Sequence, residues 1–287
     1  MKKIFFILLL FISGNLFAQL TDSTWQTFTQ NDIDICNSKF EFAVSKNLQN
    51  KSINKIVIEI GKSFLGLDYI AHSIESKGKE EVVINLSGFD CYTYLESVLA
   101  LSKNIKSGKT TFEDYLSEIE NIRYRKGKLT NYTSRLHYFS DWIYDCDKRK
   151  IVENVTQKIG GEIYPNTINF MSSNPNYYEQ LKSKPEFIEE MKLIEDVISN
   201  RKYYYIPQNK IAKLEKEIQS GDIIGITTDI EGLDIAHTGI AIKMKDGRIH
   251  LMHSPSEGKK SQITEKPLAD YIKGNKRQTG IMVARPL

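Results

Sequence analysis

The hydrophobic pattern changes period at Gly221, and that change limits the folds open to this chain. Before it, apolar residues recur at helical spacing. Ile53, Ile56, Val57 and Ile60 share one face, as do Leu95, Val98, Leu99 and Leu101 in a segment from Cys91 to Ile105 that Ser107-Gly108 would end. Thr111 can cap a helix carrying Phe112, Tyr115, Leu116, Ile119 and Ile122. Phe187, Ile188, Met191, Ile194 and Ile198 mark another that starts near Pro185. A short amphipathic stretch, Ile211 to Ile218, leads to Ser220-Gly221. After Gly221, residues 222–228, 235–244, 248–254 and 280–285 read as strands, with a hairpin signal at Asp246-Gly247. Helices first and strands last predict an α+β fold, with helices on an antiparallel sheet. No internal repeat or low-complexity linker interrupts the chain.

Lys2-Lys3, the apolar run Ile4 to Ile12 and the small residue Ala18 before Gln19 follow the order of a secretory signal. The run is too short to span a bilayer, which takes about 20 residues. No other segment is apolar enough to cross one. We therefore expect a signal peptide over 1–18, one domain over 19–287, and a periplasmic or secreted product. Lys2 and Lys3 also supply two of the three net positive charges. The nearly neutral remainder lacks the basic footprint of a nucleic-acid binder.

Cys36, Cys91 and Cys146 leave at least one thiol unpaired in an oxidising compartment, and a Cys36–Cys146 disulfide is possible. Cys91 has the more informative surroundings. Asp90 is a good N-cap type, so Cys91 would be the first helical residue, among unpaired amides at the positive end of the helix dipole. Both favour thiolate and could stabilise an oxyanion. The Asp90 carboxylate opposes this unless capping occupies it. A nucleophilic cysteine also needs a base. Of His72, His137, His237, His250 and His253, His237 stands out. It lies on an alternating strand whose Ile240, Ile242 and Met244 face is apolar, while its own face carries Gly239 and Ala241, small enough for a helix or substrate to approach.

Phe89-Asp90-Cys91, His237-Thr238-Gly239-Ile240-Ala241 and Met252-His253-Ser254 resemble the NlpC-like cysteine peptidases and amidases of bacterial cell walls. Gly66-Leu67-Asp68-Tyr69 is similar to that family's Gly-x-x-Tyr segment, and Ser220-Gly221-Asp222-Ile223-Ile224 to its Gly-Asp strand opening. Residues 90–96 and Ser134-Arg135-Leu136-His137-Tyr138-Phe139-Ser140-Asp141-Trp142 narrow the resemblance to the N-acetylmuramoyl-L-alanine amidase-like subgroup, over about residues 55–287. The bulky Tyr92 departs from the small pair that follows Asp-Cys in commoner members. The resemblance implies a papain-like (NlpC-like) fold, a base histidine on a strand, a third polar residue on the next strand, and a peptidoglycan substrate.

Hairpin register selects that third residue. With a two-residue Asp246-Gly247 loop, His253 would lie across the sheet from His237. With a three-residue loop Lys245-Asp246-Gly247, Met244 faces Arg248 and His253 faces Gly239, on the side of His237 and one diagonal away. His250 fails under both registers. We assign Cys91, His237 and His253 as catalytic, with Ser254 as the fallback for the shorter turn. Zinc on His237, His250 and His253 is disfavoured, because strand residues three apart point to opposite faces. No metal or cofactor is assigned.

Eleven of the 15 tyrosines lie between 106 and 210, together with Trp142. They serve either core packing or a ring-lined cleft for a sugar. This region is expected to form a helical insertion between the cysteine helix and the sheet. On the resemblance, Tyr69, Tyr92, Arg135, His137, Tyr138 and Trp142 are expected to bind substrate. The expected reaction is cleavage of the amide between N-acetylmuramic acid and L-alanine through a thioester. A stem-peptide endopeptidase cutting at D-glutamate and a non-catalytic wall-binding protein are the alternatives.

Overall fold

The computed structural model describes residues 27–75, 78–165, 167–256 and 260–287. The expected signal segment lies outside them. Among the described residues no helix is long and apolar enough to cross a membrane.

The first elements in the chain are mainly helices, and they stack on one another. α1 (Gln30–Ser45) starts at a Thr29–Asp32 capping box, and α2 (Ile53–Lys62) follows. A parallel pairing of β1 (Asp68–Tyr69) with β2 (Gly88–Phe89) leads into α3 (Cys91–Ser107). Gly108 ends α3 at φ +74°, a left-handed cap that costs glycine little. α4 (Phe112–Arg123) begins at the Thr111 box. α3 is the spine of the main core: Tyr94, Leu95, Val98, Leu99 and Leu101 are all at most 1% exposed.

The strands close one antiparallel sheet. Its order is β4 (Glu162–Ile163), β5 (Tyr204–Pro207), β10 (Gln278–Pro286), β6 (Ile223–Thr228), β7 (Ile235–Lys243), β8 (Ile249–His253), β9 (Gln262–Ile263). β3 (Val152–Asn154) pairs with the far half of β10. One face, with Ile240, Ile242 and Met252, joins the α3 core. The other, with Ala241, Ile249 and Leu251, is covered by the helix Leu268–Lys273 through Leu268, Ala269 and Ile272.

The structure corrects several sequence expectations. The 106–210 region is not solely helical: besides α4, α5 (Phe139–Lys148) and the helix Glu186–Ser199, it contributes β3, β4 and β5 to the sheet. Most of its rings belong to the same core as α3. Cys36 and Cys146 are free, buried thiols rather than a disulfide. The face of β7 that carries Gly239 does not receive the cysteine helix. A side chain at Gly239 would meet Leu251 Cδ1 at 2.7 Å and the Met252 carbonyl at 2.9 Å, so glycine is required by the neighbouring strand.

Candidate active site

Asp90 caps α3 and is occupied by that task. Its Oδ1 accepts from Tyr92 N (3.0 Å), Thr93 N (2.7 Å) and Thr93 Oγ1 (2.9 Å), while Asp90 N donates to Thr93 Oγ1 (3.0 Å). Cys91 is therefore the first residue of the helix, and it is half-buried. The expected depression of its pKa is absent. Burial, and secondarily the Asp90 charge, push the thiol up to about 12, against hydrogen bonds from the Thr238 backbone and side chain that pull it down. Desolvation of the anion outweighs the helix terminus here. The resting group is the neutral thiol.

The 245–247 hairpin adopts the three-residue loop. Met244 N donates to Arg248 O (2.9 Å), Gly247 N donates to Met244 O (3.0 Å), and Gly247 sits at φ +80°. The ladder runs from Lys243–Ile249 to Ile240–Met252, and its next step places Gly239 opposite His253. His237 and His253 consequently share a face and meet, with His237 Nε2 2.6 Å from His253 Nδ1 and the rings edge-on at 4.9 Å. Burial lowers His237 to about 4; burial, with the neighbouring His237, lowers His253 to about 3. Both imidazoles are neutral at pH 7. When His237 donates from Nε2, its Nδ1 carries a lone pair and His253 carries its proton on Nε2.

The residues following each histidine hold the cysteine loop. Thr238 Oγ1 donates to the Cys91 carbonyl (2.8 Å), and Ser254 Oγ donates to the Phe89 carbonyl (2.8 Å). Alternation makes this possible: with the two histidines on one side of the sheet, Thr238 and Ser254 point to the other, toward α3. Ser254 is thus a tie to the cysteine loop and does not meet His237 in the observed register. Thr238 escaped the sequence analysis, which used His237 and Gly239 of the same motif. His250 turns away from the pair, bonded through Nε2 to Asp246 Oδ2 (2.9 Å) and through Nδ1 to the Thr264 carbonyl (2.7 Å).

The six expected substrate contacts divide sharply. Tyr69, half-buried and paired with Phe89 in the β1–β2 ladder, lies close enough for the charges of Cys91 and Asp90 to add to the burial that raises its pKa. Tyr92 spans from the cysteine helix to the Leu136 carbonyl (2.8 Å) and meets Phe139 edge-on. His137 is bonded to the Tyr132 carbonyl (2.9 Å) and held down to about 3 by burial and then by Arg135.

The other three are corrections. Arg135 is 6% exposed and fully engaged, paired with Glu80 through two nitrogens and with Glu75 through a third. Tyr138 is buried, donating to Glu195 Oε1 (2.6 Å) and accepting from Met171 N (2.8 Å). Trp142 is 0% exposed and stacked on Phe139 with centroids 5.0 Å apart. None of these three can stack on, or pair with, a sugar without leaving the core. His72 lies on the β1–β2 connection at φ +57°.

The site thus joins a cysteine at a helix start, through Thr238, to the strand that carries a paired histidine. Residues 59–281 match the AmiA-like family, described as N-acetylmuramoyl-L-alanine amidase-like, and the chain belongs to that family. Its structure is similar to an N-acetylmuramoyl-L-alanine amidase from Bacteroides uniformis, at 38% identity and a TM-score of 0.78 over 82% of this chain and 99% of that one. It is also similar to a proposed xylanase from Bacteroides fragilis, at 34% identity and a TM-score of 0.73 over 79% and 99% of the two chains. A Legionella pneumophila protein at 21% identity and a TM-score of 0.68, over 90% and 96%, shares the fold. No curated protein matches the chain.

Proposed function

We propose that this protein is a cysteine amidase of peptidoglycan, acting on the amide between N-acetylmuramic acid and L-alanine, with Cys91 as nucleophile, His237 as base and His253 as its orienter on a papain-like, NlpC-like frame. The observation that carries the reading is the His237–His253 hydrogen bond on the strand whose next residue, Thr238, holds Cys91. Family membership supports the substrate. A thiol with two imidazoles does not suit glycoside hydrolysis, which in most families uses a pair of carboxylates.

The chemistry follows from the tautomers. His237 Nδ1 takes the Cys91 proton as Sγ attacks the lactyl carbonyl carbon. Because the thiol is protonated at rest, proton transfer accompanies attack. The Cys91 N–H, next to the sulfur, and the α3 terminus favour the oxyanion. His237 then gives its proton to the alanine nitrogen, the C–N bond breaks, and a thioester to muramic acid remains. Water, deprotonated by His237, hydrolyses that thioester to the free lactyl acid and regenerates the thiol. His253 holds the His237 ring and accepts its Nε2–H throughout. Tyr69, half-buried near Cys91, is the ring assigned to meet substrate.

A site of action outside the cytoplasmic membrane goes with such a substrate, and the signal-like N-terminal sequence supports it. The test is digestion of defined muropeptides read by mass spectrometry. Muramic acid and a peptide beginning with L-alanine are expected, with no turnover by Cys91→Ala. Release of L-alanyl-D-glutamate, at equal rates with or without the sugar, would replace this reading with the endopeptidase. Absence of any product would replace it with the binding protein.

A further inference from the structure

The strand that carries the base is not regular. Along β7, Ile240, Gly239, Thr238 and His237 face Ile223, Ile224, Gly225 and Ile226 of β6 one for one, but the next pair is Ile235 with Thr227. Ala236 is thus an extra, exposed residue, a β-bulge immediately before His237. The bulge sets which way the base points. Strict alternation would put Ile235 and His237 on the same face. Instead Ile235 packs in the α3 core, while His237 sits opposite Ile226, on the face that the helix Leu268–Lys273 covers. There it meets His253.

One buried carboxylate joins this bulge to a second element. Asp234 is 1% exposed. Its Oδ1 accepts from Ile235 N (2.7 Å), beside the bulge, and its Oδ2 accepts from Ser140 N (2.7 Å) in the first turn of α5. Tyr138, at the N-cap of α5, gives its hydroxyl to Glu195, so Asp234 takes the capping part from 94 positions away. The Asp234 carbonyl accepts from Thr228 N (3.3 Å) and from the Tyr164 hydroxyl (3.0 Å). The start of α5 also touches the cysteine helix. Phe139 meets the Tyr92 ring edge-on and covers Gly225, where a side chain would meet Phe139 Cδ1 at 2.7 Å and Ile235 Cδ1 at 3.2 Å. Nucleophile and base are thereby tied to one helix start, Cys91 through its neighbour Tyr92 and His237 through Asp234 and the bulge.

We propose that Asp234 is a positioning residue for the base: its carboxylate locks the Ala236 bulge to α5, and the bulge keeps Ile235 in the α3 core while His237 turns to His253. The effect on turnover rests on the cysteine amidase reading above; the effect on the histidine pair does not. Asp234 acts through the main chain and takes no proton. It reaches the reaction only by fixing where the His237 ring stands.

Asp234→Ala removes both acceptors, and Asp234→Asn keeps one. Two readouts are taken well below each variant's thermal midpoint. The first is the split between kcat and KM for muramoyl dipeptide. Displacing a catalytic group by about 1 Å can cost about 10²-fold, so kcat should fall about ten- to a hundredfold in Asp234→Ala and less in Asp234→Asn. KM should stay within about twofold, since substrate contacts are untouched. The second readout is the imidazole N–H resonance of the His237–His253 hydrogen bond in protein with isotope-labelled histidine, assigned by its loss in His253→Asn. It should shift or vanish in Asp234→Ala and be partly recovered in Asp234→Asn. A lower thermal midpoint with wild-type kcat and a wild-type resonance overturns the proposal and leaves Asp234 a helix cap only. If Asp234→Ala does not fold, Asp234→Asn decides by the same two readouts, and wild-type values there overturn it. If the wild type cuts no muramoyl amide, the amidase reading falls, and the resonance alone upholds or overturns the positioning role.

Discussion

His237 Nε2 and His253 Nδ1 lie 2.6 Å apart although sixteen positions separate them in the chain. A three-residue hairpin loop creates that contact, because one residue more or fewer would send His253 to the opposite face. Removing the base should therefore cost more than removing the group that orients it. General-base catalysis is worth roughly 10²–10⁴-fold. We expect His237→Ala to abolish turnover, His253→Ala to retain a small residual rate, and His250→Ala to stay near wild type. A dead His250→Ala with a fully active His253→Ala would contradict the assignment.

Acid should destabilise the fold earlier than carboxylate protonation alone would. His237 is lowered to about 4, and His253 and His137 to about 3, by burial. The same groups titrate near ~6.5 in the unfolded chain. Because the native values are depressed, the unfolded chain binds more protons below that point. The stability is fully present above about pH 6.5 and is lost as pH falls toward the native values, by about 1.4 kcal/mol per pH unit for each proton taken up. Urea midpoints between pH 7.5 and 4.5 test this, and His253→Asn should flatten the slope. A wild-type profile that is level over that range would show that these imidazoles are not held neutral.

Trp142→Ala should act on stability before it acts on binding. The indole is fully buried against Phe139, and truncating such a ring costs about 3–5 kcal/mol. A large drop in thermal midpoint is expected, with no selective rise in KM for sugar-bearing substrate. A stable Trp142→Ala protein with weakened sugar binding would restore the indole to the substrate surface.

What could be read from the chain divides along range of interaction. The Asp90 cap, the Gly108 stop and the Lys245-Asp246-Gly247 loop are decided within a few residues, so their consequences were legible: a helix starting at Cys91 and His253 opposite Gly239. The fate of the 135–142 segment was not. Arg135 is neutralised by Glu80 and Glu75, some 55–60 positions away, and Tyr138 by Glu195, 57 positions away. Nothing local distinguishes an arginine aimed at a ligand from one aimed at a distant glutamate. The short strands β3 to β5 were hidden for a similar reason, since two to four residues are too few to show a period. The thiol's pKa was misjudged because a helix dipole is visible in sequence and desolvation is not.

Cys91 should still be the first thiol to react. Cys36 and Cys146 are 0% exposed, and burial raises their pKa values as well. With the Cys91 thiol pushed up to about 12, its alkylation by limiting iodoacetamide should be slow at pH 7 and keep accelerating above pH 9. Peptide mapping of the adducts at both pH values measures this. A rate already at its plateau by pH 6 would mean that a thiolate–imidazolium pair forms at rest and that attack does not wait for His237 to take the proton.

Thr238 should be a positioning residue, distinguishable from a merely packed one. Its hydroxyl donates to the Cys91 carbonyl at 2.8 Å, and both its backbone and its side chain favour the Cys91 anion. Valine fills the same volume without the donor, removing a hydrogen bond worth about 1 kcal/mol. Two effects should therefore appear together in Thr238→Val: a lower thermal midpoint, and a kcat reduced about tenfold or more, with alkylation of Cys91 shifted to higher pH. Thr238→Ser restores the donor and should recover the alkylation profile even where lost methyl packing leaves it less stable. If Thr238→Val lowers the midpoint while the pH dependence of alkylation stays as in wild type, the hydroxyl holds the loop and does nothing for the sulfur.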